Sequence, residues 1–331
     1  MAFCLATAIF VCLTQTHARP LLTVELESGE VVYSHDETEL WHPASITKLM
    51  TAQIAFRAID SGLLTLETPV VLSANASSIP PSKSGLKRGD VLPLKDALII
   101  MLTKSANDLA VAVAETVAGT EDRFAKLMNR EARLLGMNGT QFKNASGLHK
   151  EGQVTTAQDV AILVRHIVLT YPQYMSFFSQ KNYSYKGRNF KNTNGLIGSY
   201  QGAIGMKTGY VCSAGYNLVS LASRGGKSFI SVVLGEGSSR KREAAAAKLL
   251  DDAFRSDTSQ FSELRTRLVS QPNLKQPAMN LTKKNCGRGW NGIIEKNSTI
   301  KEAVVVPVPA PALAKRPKKW RYYGSLENYS G

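Results

Sequence analysis

Ser45 and Lys48 sit three apart in the run HPASITKLMTA, residues 42–52, at the head of an apolar stretch with helical spacing. A buried helix has no need of a lysine there. Residues three apart on a helix share a face, so the hydroxyl and the amine point into one small volume. A Ser hydroxyl is a poor nucleophile until a base takes its proton. Lysine can be that base when burial or a neighbouring cation destabilises its ammonium. Taken alone the tetrad says little, because Ser-x-x-Lys arises by chance in many helices.

Two further pieces change that. Ser105-Ala106-Asn107 falls at the junction of two helical segments, where a hydroxyl and an amide two apart can both face a cleft. The hydroxyl can relay a proton, and the amide can bind a substrate amide. Lys207-Thr208-Gly209 lies inside a strand-like run. There Lys207 supplies a second cation for an anionic substrate end, Thr208 can bind a carboxylate, and Gly209 leaves room for a substrate lying along the strand. His42 and His149 read as surface or structural histidines, since neither has an acidic partner at motif spacing. The chain has no His-Glu-x-x-His pattern, so neither a metal nor another cofactor is expected.

The elements that must bring these pieces together are legible in the pattern. Residues 21–35 alternate apolar and polar around Ser28-Gly29, which predicts a β-hairpin. A helix is predicted from Ser45 to Ile59, ending before Ser61-Gly62, and a short strand over 69–72. Residues 94–103, 107–118, 121–135 and 156–169 carry helical periodicity, with Thr155 or Thr156 as the last cap. Asp96 and Asp108 stand early in their segments, where a helix dipole favours a carboxylate. From residue 203 three strands follow with tight Gly turns, then a helix over 239–254. The expected fold class is mixed α/β of the α+β kind: an antiparallel sheet flanked by helices, with a mostly helical region inserted in the middle.

The 331 residues are 44% hydrophobic, enough for a substantial core, and carry a formal charge of +14. That charge suits an anionic environment. With no zinc-finger spacing, basic zipper or aromatic-and-basic RNA signature, no nucleic-acid partner is expected. Residues 1–18 read as a signal peptide: an apolar run from Ala2 to Leu13 is followed by Thr16-His17-Ala18, a small-residue cleavage site. A buried N-terminal helix is the competing reading. Cleavage would leave Cys212 and Cys286, which can form one bridge in an exported protein, although sequence alone does not show that they meet. Residues 19–256 are expected to be the catalytic domain, 257–298 an extension, and 299–331 a disordered Pro-rich basic tail. The tail's AKRPKKWRYYG combines cations with aromatics, suited to weak attachment to an anionic envelope surface; a solvated tail is the plainer reading.

The three pieces, in this order on helix, junction and strand, match the penicillin-binding and β-lactamase signature, here with Ala106 at the centre of the second motif. With their flanks PASITKLMTA, LTKSANDLAVAVAE, NASGLHKEGQVTTAQDVAIL and GAIGMKTGYVCSAGYNLVSLASRGG, roughly residues 21–255 resemble the low-molecular-mass D-alanyl-D-alanine carboxypeptidases. These are serine peptidases of family S11. The resemblance implies a β-lactamase/transpeptidase-like fold in the envelope or periplasm of a bacterium. It also implies action on peptidoglycan stem peptides ending in D-Ala-D-Ala, and covalent inhibition by β-lactams. It makes Ser45 the nucleophile, Lys48 its base and Ser105 the relay to the leaving amine. Asn107 would hold a substrate amide, and Lys207 and Thr208 would hold the terminal carboxylate. Gly209 would lie beside the substrate, and the N–H groups of Ser45 and Tyr210 would form the oxyanion hole. A D,D-endopeptidase and a non-catalytic penicillin-binding sensor are the alternatives. A class A β-lactamase would need a Glu-x-x-Leu-Asn motif, and none occurs between Asn107 and Lys207.

Overall fold

The structure is a computed structural model describing residues 19–256, 268–274 and 276–286. The predicted signal peptide and basic tail lie outside the described residues. Leu21–Glu25 (β1) and Val31–His35 (β2) form the expected hairpin, with Gly29 in its turn at φ +73°. A 3₁₀ turn over Ala44–Thr47 leads into the helix Lys48–Asp60 (α1). Pro69–Val71 (β3) pairs with Val91–Pro93 (β4), and between them lies the short helix Ala74–Ser78 (α2), capped by the Ser73 hydroxyl. The helices Leu94–Lys104 (α3), Asn107–Ala118 (α4), Glu121–Leu134 (α5) and Ala157–Thr170 (α6) fall within a residue or so of their predicted bounds. Thr156 caps α6 by accepting from the Asp159 N–H. A 3₁₀ stretch, Pro172–Phe177, precedes a small hairpin of Asn182–Tyr185 (β5) and Arg188–Lys191 (β6).

Ala203–Val211 (β7), Gly215–Arg224 (β8) and Lys227–Glu236 (β9) make the predicted meander, and Ser239–Arg255 (α7) follows. Among the described residues the main sheet is antiparallel in the order β2-β1-β9-β8-β7. The N-terminal hairpin therefore pairs with the end of the meander, and β7 is left as an edge. Alternation along β8 and β9 assigns their side chains to two faces. Leu218, Ala222, Phe229 and Val233 pack under α7 with Leu249 and Leu250. Val219, Leu221, Ile230 and Val232 turn to the main core with α1, α3, α4 and α6. Both faces are covered, so β8 and β9 are buried along most of their length.

The C-terminal stretch returns to this body. Leu268 N–H donates to Gly29 O at 2.9 Å, and Asn273 N–H donates to Thr38 O at 2.8 Å. A short helix, Thr282–Cys286 (α8), ends at a disulfide between Cys286 and Cys212, with Cα atoms 5.8 Å apart. The sequence had left that pairing open.

Helix α1 begins at Lys48 and is anchored at its other end by Phe56. That ring stacks on Tyr174 at 4.5 Å between centroids and meets Tyr171, Phe177 and Phe178 within about 6 Å. Phe56→Ala should lower unfolding free energy by about 3–5 kcal/mol, as cavity-forming Phe truncations do. Urea denaturation checks this; a loss below about 1 kcal/mol would mean that the aromatic cluster does not hold the helix.

Candidate active site

Ser45 sits in the 3₁₀ turn and Lys48 opens α1, one turn on, with Lys48 Nζ 2.9 Å from Ser45 Oγ. The backbone that carries Ser45 is gripped from three sides. Asn217 donates from Nδ2 to His42 O at 3.0 Å and accepts from Gly235 N–H at 2.9 Å, tying the turn to the sheet. A Cβ on Gly147 would fall 1.9 Å from Ala44 O. A Cβ on Gly209 would fall 3.0 Å from Pro43 O and 3.1 Å from Ser45 N. Only glycine fits at 147, where φ is +85° and the loop after α5 meets Ala44; at 209 a side chain would crowd the Ser45 turn.

Lys48 is 0% exposed. Its amine also lies 2.7 Å from Asn107 Oδ1 and 2.5 Å from Ser146 O. Asn107 donates from Nδ2 to Pro80 O at 3.0 Å, which fixes its oxygen toward Lys48. Burial lowers the Lys48 pKa to about 7, against the opposing pull of the Asp108 and Glu121 carboxylates. A neutral amine has two N–H groups and one lone pair. The two carbonyl oxygens can only accept, so they take the two N–H groups. The lone pair is then left for Ser45, the one partner whose O–H can donate. That arrangement readies the hydroxyl for proton loss.

Ser105 takes a left-handed conformation at φ +63° between α3 and α4, unusual for a residue with a Cβ and costing about 1–2 kcal/mol. The kink lets α4 restart at Asn107 and turn that amide toward Lys48. Asp108 supports it from beneath, accepting from Ser84 N–H at 2.9 Å and from the Ser84 hydroxyl at 2.7 Å.

On the opposite wall Lys207 is 1% exposed and donates to Thr208 O at 2.9 Å. Burial, then the Lys48 and Arg242 charges, pull its pKa well below the usual lysine value. The Thr208 and Thr193 hydroxyls are 2.7 Å apart, and the Arg242 guanidinium lies 3.5 Å from Thr193 O. Tyr210 is 40% exposed, and its ring meets that of Tyr216 at a tilt of 38° with centroids 4.4 Å apart.

Ser45, Lys48 and Asn107 are thus in direct contact, and Gly209 lies against Ser45. Lys207, Thr208 and Tyr210 follow along the same strand, and Ser105 precedes Asn107 at the kink. Sequence reasoning missed Gly147, Thr193, Asn217 and Arg242, and it read Asp108 only as a carboxylate favoured by the helix dipole. An Asn inside the apolar run of β8 was a usable signal, because strands disfavour it; the others had none. His42 and His149 are not joined to Lys48. Their rings meet edge-on at 5.1 Å, with His42 Nδ1 3.2 Å from Gln153 O and His149 Nδ1 2.9 Å from Ser213 Oγ. Among the described residues no group of three or more His, Cys, Asp or Glu could hold a metal ion, and no helix is long and apolar enough to cross a membrane.

A family model described as D-alanyl-D-alanine carboxypeptidase, Peptidase S11, matches residues 7–238. The chain is 32% identical to the D-alanyl-D-alanine carboxypeptidase DacF of Bacillus subtilis, over 88% of this chain and 78% of that protein. It is 33% identical to DacD of Escherichia coli, over 71% of this chain and 63% of that protein. Among solved structures, the DacD carboxypeptidase of Francisella tularensis superposes with a TM-score of 0.69 and 32% identity, covering 72% of this chain and 70% of that one. Penicillin-binding protein D2 of Listeria monocytogenes in its ampicillin-bound form gives 0.65 and 33%, covering 72% and 97%.

Two outcomes follow from the geometry. The lowered Lys48 pKa means that the free base forms as pH rises, so acylation of Ser45 should climb through about pH 7 and then level off. Stopped-flow acylation by a chromogenic β-lactam across pH 5–9 measures it, and a midpoint near the ordinary lysine value of about 10.4 would refute the burial account. Gly147→Ala should cut acylation by about 100-fold or more through displacement of the Ser45 turn. Near-normal rates in that variant would show that the turn tolerates the crowding.

Proposed function

The chain belongs to the S11 family of D-alanyl-D-alanine carboxypeptidases, whose general chemistry is a serine acyl-enzyme, and from that premise we propose that it removes the terminal D-alanine from peptidoglycan stem peptides through Ser45. The observation that carries this is the contact set of Lys48: a buried amine within hydrogen-bond distance of two carbonyl oxygens, which can only accept, and of the Ser45 hydroxyl.

The steps follow from the groups present. Lys48 takes the Ser45 proton as Oγ adds to the carbonyl between the two D-alanines. The oxyanion that forms is met by the N–H groups of Ser45 and Tyr210, each such donor contributing about 3–4 kcal/mol to barrier lowering. Ser105 passes the proton to the leaving nitrogen, the C–N bond breaks, and D-alanine departs. Asn107 holds the acyl-side amide. Lys207 and Thr208 bind the terminal carboxylate, with Arg242 and Thr193 behind them. Water then adds to the ester and frees Ser45. A β-lactam enters by the same route and stays as an ester, in keeping with the ampicillin-bound and cefotaxime-bound forms of the Listeria relative.

Export to the periplasm or envelope is part of this proposal. It is supported by the signal-peptide pattern of residues 1–18 and by where peptidoglycan lies. Attachment of the tail to an anionic surface has composition alone behind it. The deciding experiment is D-alanine release from diacetyl-Lys-D-Ala-D-Ala. Wild type should release it, and Ser45→Ala should lose at least about 1,000-fold, as loss of a nucleophile does. Penicillin labelling of wild type without D-alanine release would favour a sensor instead.

A further inference from the structure

Among the described residues strand β7 is an edge of the main sheet and pairs only with β8. The sheet restrains its last residues from one side, through the pairs Tyr210–Tyr216 and Val211–Gly215 with β8. Yet Tyr210, whose N–H is proposed to meet the oxyanion, is only two residues from the turn that ends this strand. That turn is closed by the Ala214 N–H donating to Val211 O at 3.0 Å, and it is held from outside the hairpin as well. Cys212 is joined covalently to Cys286, and Cys212 O accepts from Asn285 Nδ2 at 2.9 Å. Ser213 O accepts from Leu281 N–H at 2.9 Å. Ala214 O accepts from Trp41 Nε1 at 3.0 Å. Leu281 is buried against the Gly215 backbone, where a Cβ would lie 3.3 Å from its Cδ1. The Tyr210 hydroxyl donates to Cys286 Sγ at 3.5 Å. Apart from Trp41, these contacts from outside the hairpin come from residues 281–286, beyond the stretch 7–238 that the family model matches.

We propose that residues 281–286 form a clamp on the end of β7, closed by the Cys212–Cys286 disulfide, that positions Tyr210 for catalysis. The clamp residues are positioning residues acting through Tyr210. The inference rests on the reading of Ser45 and Tyr210 given above. Trp41 continues the clamp to the other half of the oxyanion hole, because it lies four residues before Ser45. One turn of chain therefore sets the spacing between the two N–H groups. With the disulfide open, the segment keeps the hydrogen bonds of Leu281 and Asn285 and the burial of Leu281 but loses its covalent tie to β7. Small displacements of a catalytic donor are expensive in rate.

The test uses the full-length protein and separates rate from amount. Wild type and Cys286→Ala are acylated with a fluorescent penicillin, and the rate constant and the stoichiometry of labelling are read separately. The expected result is a rate constant about tenfold lower in Cys286→Ala, with labelling still reaching one per chain. The midpoint of the pH profile should not move, since Lys48 lies on the other wall. Dithiothreitol supplies a second arm that needs no substitution. It reduces the disulfide with two electrons and two protons and leaves as its own cyclic disulfide. The reduced wild type, with folding checked by circular dichroism, should match the variant, and dithiothreitol should not change Cys286→Ala. Rate constants within twofold of the oxidised wild type in either arm would overturn the clamp. So would a fall in labelled fraction at unchanged rate, which marks a merely structural bond. An oxidised wild type that is not acylated at all would instead sink the underlying reading of Ser45, and the clamp with it.

Discussion

The active centre depends on one buried amine having too many acceptors and no carboxylate bonded to it. Placing an ammonium where Lys48 sits costs solvation, and neutral oxygens repay only part of it. Proton loss relieves that penalty. It also imposes geometry, because Asn107 Oδ1 and Ser146 O cannot donate and Ser45 Oγ can. A carboxylate in hydrogen-bond contact with Lys48 would have undone both effects by holding the proton. Asp108 and Glu121 are near enough to act electrostatically, but their oxygens are spent elsewhere. Asp108 binds Ser84, and Glu121 accepts from Ala145 N–H at 3.0 Å.

The surrounding fold can be understood as what brings four separate pieces of backbone to that amine. Helix α1 carries Lys48, and its far end is pinned by the aromatic cluster at Phe56. The kink at Ser105 turns Asn107 inward. The loop after α5 offers Ser146 O, and Gly147 beside it lets the loop touch Ala44. Strand β7 closes the other wall through Gly209. Glu121 joins two of these pieces: it opens α5 and holds Ala145, whose carbonyl accepts from Thr51 Oγ1 at 2.8 Å on α1. Each contact is short-range, yet the partners are far apart in sequence, so the site exists only when the whole helical region has packed against the sheet.

That distinction explains what could be seen in the sequence. Elements with strong periodicity, such as α4, α5 and β7 to β9, were legible because burial of one face writes a repeat into the chain. The Ser, Lys, Asn and Lys-Thr-Gly residues were legible because their chemistry is conspicuous in apolar surroundings. The pieces not seen were short or relational. Strand β4 has three residues, too few for alternation to register, and it is a strand only because β3 lies beside it. Gly147 is one glycine among 25 in the chain, and only a neighbouring carbonyl makes it special. Cys212 and Cys286 are 74 residues apart, and nothing local says that their Cα atoms come within bonding range.

The two lysines also need each other in an order that substrate can set. Burial disfavours charge on both, and charge on Lys48 further disfavours it on Lys207. On the proposed reading, a carboxylate beside Thr208 would reverse the balance on one side only. An anion in contact favours the charged form of Lys207, whereas Lys48 is met by neutral oxygens. Once Lys207 is cationic, its field acts back on Lys48 and makes a proton there less favourable still. The anionic end that the proposed substrate presents would therefore fix which amine holds the proton, and it would leave the free base beside Ser45. A ligand without that anion would bind a site whose two amines still compete. In this account the carboxylate contributes to the reactivity of Ser45 from the far end of the groove, in addition to any affinity it adds.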